Sequence, residues 1–226
     1  MKQLIILDFD DTIATGGFEL YFQAYRKALE AVGAAESEKE ERKMVYDFWG
    51  RPQETVMRIL LGKYKERLPE AQVAYYAALL EGDASGLEEV PGALKALELL
   101  AKDYRLAIAS AGDPTLIKET LLPRLGISQL FSQVLTGDEL IDPTMGKPYP
   151  DLLLRLLSEQ DCAAEDAVMV GASLYDMQMA VAAQVTPLAV LTGRMEAQEA
   201  AESGAEKVLP TLAHLPEAME ELALKN

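Results

Sequence analysis

Four short runs of uninterrupted apolar residues mark the chain, and each meets a small or polar residue at its end. They are LIIL over 4–7, RLAIAS over 105–110, AVMVG over 167–171 and PLAVL over 187–191, with a weaker run at 207–209. Runs of this length without polar alternation suit strands buried on both faces. Between them the apolar spacing changes to three and four. Residues 91–101 open on a proline and repeat leucine at helical intervals, and 113–125 begin with Asp-Pro, a helix-start signal. Residues 148–159 and 174–183 carry the same helical pattern. Strands alternating with helices predict an α/β fold, a doubly wound, Rossmann-like parallel sheet.

Residues 18–81 break the alternation. No strand pattern occurs there, and 18–32, 37–48, 53–67 and 69–81 each read as a helix. The breaks fall at Gly33, Gly50 and Leu68-Pro69. The simplest parse is an α-helical cap domain over 16–86, inserted after the first strand, with the catalytic core made of 1–15 and 87–226. Gly16-Gly17 would form one hinge and the segment 82–86 (GDASG) the other. The plain alternative is that the four helices pack on the sheet as part of one domain.

Half of the 226 residues are apolar, enough for one sizeable core. The formal charge is −16, from 21 basic and 37 acidic residues. A surface of that sign disfavours nucleic acid and anionic membranes as partners. It also repels phosphorylated compounds at long range, so any phosphate site must bring its own positive charge. A single cysteine, Cys162, excludes an internal disulfide, and a single histidine, His214, is too few for a His-rich zinc site or a triad. The first apolar run is too short for a signal peptide, and no later stretch approaches a membrane span. A cytoplasmic protein is expected; the oligomeric state is not legible.

The densest chemistry lies in Asp8-Phe9-Asp10-Asp11-Thr12, at the end of the first strand. Ligands of open α/β sheets bind outside the carboxyl ends of the strands. Continued strand geometry would send Asp8 and Asp10 to opposite faces. A turn after Asp8 would let both converge, and two converging carboxylates suit a hard divalent cation or an acid/base pair.

This segment resembles the DxDxT motif of the haloacid dehalogenase superfamily, and three further motifs follow in order. Ser110 closes the second run, as in the Ser/Thr motif that holds a phosphoryl group. Gly146-Lys147-Pro148-Tyr149-Pro150-Asp151 resembles GKPxPD, and Gly171-Ala172-Ser173-Leu174-Tyr175-Asp176 resembles the acidic GDSxxD motif. The helical insert is similar to the cap of one subclass, the phosphoglycolate phosphatase and β-phosphoglucomutase-like group. The resemblance covers nearly the whole chain. It implies a Mg²⁺-dependent phosphomonoester hydrolase of small phosphorylated metabolites, working through an aspartyl-phosphate. Asp8 would be the nucleophile and Asp10 the general acid/base. Lys147 and Ser110 would assist, with Asp11, Thr12, Ser110, Ala111 and Lys147 around the phosphoryl group. Asp8, the backbone carbonyl of Asp10, Asp176 and waters would hold the metal. Carboxylate attack on a phosphate meets like-charge repulsion of roughly 4 kcal/mol per unit pair at about 4 Å and an effective dielectric near 20. Lys147 and the metal are the implied compensation.

Ala172 departs from the pattern, because the family places a metal-binding aspartate there. Three readings follow: a replacement that slows turnover, a natural change in a weakened or non-catalytic member, or compensation by Ser173 and Asp176. Intactness of the other expected residues favours the first. In the insert, Trp49-Gly50-Arg51-Pro52 resembles a substrate-specificity loop, with Arg51 suited to a second anionic group and Trp49 to stacking or packing. Tyr21, Phe22 and Tyr25 face either the cleft or the core. A phosphomutase of sugar phosphates uses the same residues and stays open, as does a phosphometabolite-binding protein without turnover. A true dehalogenase and a phosphonate hydrolase are disfavoured by the presence of Asp10.

Overall fold

The computed structural model describes residues 3–224. In chain order the elements are β1 (Leu4–Leu7), β2 (Ala14–Thr15), α1 (Gly17–Ala31), α2 (Glu38–Asp47), α3 (Gln53–Leu61), α4 (Leu68–Leu80), β3 (Glu88–Glu89), α5 (Ala93–Leu100) and β4 (Arg105–Ser110). Then come α6 (Leu122–Leu125), β5 (Phe131–Thr136), α7 (Asp151–Glu159), β6 (Ala167–Gly171), α8 (Leu174–Ala182), β7 (Thr186–Val190), α9 (Ala197–Glu202), β8 (Lys207–Leu209) and α10 (Leu215–Leu224). Six strands form one sheet in the order β5-β4-β1-β6-β7-β8, and every pairing is parallel. This is the expected doubly wound, Rossmann-like sheet. Its winding reverses beside β1, between β4 and β6, where such sheets open a crevice for ligands.

Burial explains why the apolar runs became strands. All four residues of β1 are fully buried, with Ile5 and Leu7 in one hydrophobic cluster and Leu4 and Ile6 in another. Burying each such side chain contributes roughly 1.5–3 kcal/mol. The alternation along β1 therefore supplies both layers of the core from one strand.

Four differences from the sequence reading have local causes. β5 was not expected, because as an edge strand it is half exposed and carries polar residues where the inner strands are apolar. The helix expected over 53–67 ends at Leu61, since Gly62 adopts a left-handed φ of 51° and a 3₁₀ segment follows. The helix expected over 113–125 contains a π-helical turn, Leu116–Leu121, just before Pro123. Proline has no N–H for the i−4 carbonyl and crowds it, which widens or breaks the ladder. The helix expected from 148 begins at Asp151, because the residue before each of Pro148 and Pro150 is driven out of the helical region.

The four helices of the insert leave and re-enter through one narrow stem. β2 and β3 pair antiparallel, Ala14 with Glu89 and Thr15 with Glu88. Just beyond, Gly16 has φ 89°, and a Cβ there would lie 2.1 Å from the Gly86 carbonyl oxygen. Only glycine permits the two crossing chains to run so close. The insert stands over the carboxyl ends of β1 and β4, with α1 packed on α4 at its centre.

Candidate active site

The loop after β1 resolves how Asp8 and Asp10 meet. Asp11 takes a left-handed φ of 58°, which aspartate tolerates better than most side chains. The Asp11 N–H donates to the Ala14 carbonyl at 2.6 Å and the Ile13 N–H to the Phe9 carbonyl at 2.9 Å. Phe9 is fully buried by this turn, while Asp8, Asp10 and Asp11 all reach one cavity of about 260 Å³. The loop after β4 adds Ser110, Ala111 and Gly112 to its wall, and the loop after β6 adds Ala172 and Ser173. The insert contributes Tyr21, Tyr25, Trp49 and Arg51 among others.

Lys147 ties the first and last motifs together. Its Nζ lies 2.7 Å from Asp8 Oδ1 and 2.6 Å from Asp176 Oδ1, and the lysine is 1% exposed. Burial alone would lower its pKa, but Asp176 and Asp8 hold it above the usual lysine range. Asp8 is pushed up to about 7 by burial and by the charge of Asp176, against the opposing pull of Lys147. Asp10 is raised well above the ordinary carboxylate range by burial, then by Asp8 and Asp11. Its Oδ1 is buried without a hydrogen-bond partner. Ser110 Oγ accepts the Gly112 N–H at 3.0 Å, which fixes the turn.

Of the expected site residues, Asp8, Asp10, Asp11, Ser110, Ala111 and Arg51 lie on the cavity wall. Thr12 and Lys147, both expected around the phosphoryl group, are buried and neither is on that wall. Asp176, expected beside a cation, is committed elsewhere. One oxygen meets Lys147, and the other accepts the Ser173 N–H at 3.0 Å and the Ser173 hydroxyl at 2.6 Å, in a capping box that starts α8. As placed, it anchors Lys147. Among the described residues no group of three or more His, Cys, Asp or Glu is arranged to hold a metal ion. Ala172 presents no donor, and the loop after β7 closes on it: a Cβ on Gly193 would lie 2.5 Å from the Ala172 carbonyl oxygen. Of the residues expected to hold the metal, Asp8 and Asp10 remain on the cavity wall with Ala172. One carboxylate and one backbone carbonyl, with water and substrate oxygens, satisfy a small hard cation that keeps much of its hydration, so the donor set fits Mg²⁺ in its sparest form.

Two residues escaped the sequence reading. Thr192, in the loop after β7, donates its hydroxyl to the Asp11 carbonyl, steadying the left-handed turn. Arg194 follows it and reaches into the insert. Its guanidinium lies 3.3 Å from the Tyr46 ring centroid, 4.8 Å from Phe18 and 5.4 Å from Trp49, and it donates to the Tyr46 carbonyl. Their position just beyond a parallel strand was the available signal. Trp49 does more than pack, because its indole N–H donates to Asp11 Oδ2 at 3.1 Å.

The family model described as haloacid dehalogenase-like hydrolase matches residues 5–190. The chain belongs to that family. A phosphorylated carbohydrates phosphatase from Thermotoga maritima is 27% identical over 195 residues, covering 81% of this chain and 82% of that one. A phosphoglycolate phosphatase from Colwellia psychrerythraea is 34% identical over 97 residues, 43% of this chain and 41% of its own length. Among solved structures, a haloacid dehalogenase-like family hydrolase from Streptococcus pneumoniae superposes with a TM-score of 0.79 at 18% identity, covering 96% of this chain and 98% of that one. That likeness is one of fold. No helix among the described residues is long and apolar enough to cross a membrane.

Proposed function

We propose that this haloacid dehalogenase-like hydrolase is a phosphatase of small phosphorylated metabolites, with Asp8 as nucleophile and Asp10 as general acid/base. The carrying observation is Lys147 buried between Asp8 and Asp176 at the switch point of the sheet, with the unpartnered Oδ1 of Asp10 on the adjoining cavity. The names of the relatives support the substrate class. In the reaction, an Asp8 oxygen bonds to phosphorus in line as the phosphorus–ester oxygen bond breaks. Asp10 gives its proton to the departing oxygen. Asp10 then takes a proton from water as that water attacks the aspartyl-phosphate, which returns Asp8 and releases phosphate. Lys147 keeps Asp8 oriented and offsets the charge brought together. The Ser110 hydroxyl and the backbone N–H groups of the loop after β4 bind phosphoryl oxygens. The Asp8 carboxylate and the backbone carbonyl of Asp10 would hold Mg²⁺, which when bound supplies positive charge to the phosphoryl oxygens. Arg51 lines the far wall with a buried Nε that has no partner, and it fits a second acceptor group on the substrate. The insert acts as a cap, with 16–86 closing over a core of 1–15 and 87–226.

The test is phosphate release from an aryl phosphate with Mg²⁺, by this chain and by Ala172→Asp. Restoring a direct ligand should raise the rate at least tenfold, since even changes behind the ligands cost about 10–100-fold. No release by either protein, with both folded, refutes the reading. Ala172 favours one alternative, a phosphometabolite-binding protein without turnover, and that outcome together with measurable phosphate binding would establish it.

A further inference from the structure

Tyr21 lies one turn into α1 and is 4% exposed. Its ring packs edge-on against Trp49, with centroids 5.6 Å apart. Packing accounts for the ring but not for the hydroxyl. That hydroxyl overhangs the loop after β4: a methyl on Gly112 would lie 2.6 Å from Tyr21 Oη and 3.4 Å from Ser110 Oγ. On the other side, a methyl on Gly17 would lie 2.6 Å from Asp10 Oδ1 and 3.7 Å from the Tyr21 ring. Two missing side chains thus make room for a phenol between the general acid/base and the phosphoryl-binding serine. The buried Tyr21 hydroxyl oxygen faces the Asp113 backbone N–H but its own O–H meets no acceptor, Asp10 Oδ1 is buried without a hydrogen-bond partner, and both residues face the same cavity. Buried polar groups are nearly always satisfied, so an unused phenol donor and an unpaired carboxyl oxygen on one cavity wall point to a ligand that completes them. Burial, with the charges of Asp10 and Asp113, drives the phenol's ionisation far above the usual tyrosine range, so the group is a donor at any working pH.

We infer that Tyr21 is a phosphoryl-binding residue, donating a hydrogen bond from the insert to a non-bridging phosphoryl oxygen that Ser110 holds from the sheet. The inference rests on the phosphatase reading above and adds to it. Because the donor belongs to the insert, the phosphoryl group itself joins insert to sheet, and closure is coupled to the reacting end of any substrate.

The experiment is titration calorimetry of the full chain with inorganic phosphate, on the parent protein, Tyr21→Phe, Ser110→Ala and Tyr76→Phe. Tyr21→Phe retains the ring, so its thermal unfolding should be unchanged while phosphate binds about tenfold more weakly. Tyr76→Phe removes a phenol of the insert that is off the cavity wall, and binding should stay within about twofold. If Tyr21→Phe binds like the parent while Ser110→Ala is weakened, this inference falls and the phosphatase reading stands. If the parent binds no phosphate, or Ser110→Ala has no effect, the phosphatase reading fails and this inference with it.

Discussion

Lys147 shows how one side chain can belong to both stability and chemistry. Its ammonium is fully enclosed by two carboxylates, so removing it strands two like charges in the core. Lys147→Met should destabilise the fold by roughly 3–5 kcal/mol, read from urea unfolding, and should also abolish phosphate release. Asp138 carries the opposite lesson. It accepts the Tyr76 hydroxyl at 2.8 Å, yet burial outweighs that bond and raises its pKa to about 6 from the ordinary 3.8. Folding therefore favours its protonated form. Stability from this group is greatest below pH 4 and declines as pH climbs from about 4 to 6. Asp138→Asn should flatten that decline and raise stability at pH 7.5 by about 1–3 kcal/mol, measured as urea midpoints at both pH values. Among residues, the motif positions were readable because each sits at a strand end in a recognisable order. Arg194 was not, since a lone arginine in a loop carries no spacing signal and its aromatic neighbours come from distant parts of the chain.

At the scale of elements, the β7 loop and the insert are fastened by Arg194 held among Phe18, Tyr46 and Trp49. Arginine stacks on ring faces, and a partly desolvated cation–π contact is worth about 1–2 kcal/mol. Arg194→Ala should loosen α2 and its following loop, with faster amide exchange there and unaltered exchange in β1 and β6. Trp49, the single tryptophan of the chain, reports directly, and its emission should shift to the red in the variant. An unchanged spectrum and exchange pattern would show that the fastening is not energetic. The inner strands were legible because two-sided burial demands unbroken apolar runs. The edge strand β5 was hidden, since one-sided exposure lets polar residues in and erases the run. Helix starts that depended on capping or proline were displaced by only a few residues, while the π-helical turn depended on a local conflict around Pro123 that periodicity does not register.

For the whole molecule, the charge of −16 and a phosphate-binding crevice are in tension. The compensating lysine is buried, so it acts at contact range and does not offset the field met by an approaching anion. Raising the salt from about 20 to 200 mM should lower KM for a dianionic ester by about two- to fivefold, because screening shortens the repulsion. A rise in KM would mean that attraction by Arg51 and Arg194 governs the approach. The paired crossings at Ala14–Thr15 and Glu88–Glu89 carry a last implication. To the strands beneath, four helices enter and leave as though they were one tight hairpin. If the insert is the proposed cap, the apparatus that chooses a molecule can then be rebuilt, lengthened or exchanged without moving the atoms proposed to cut it, so that selectivity and reactivity are free to evolve separately.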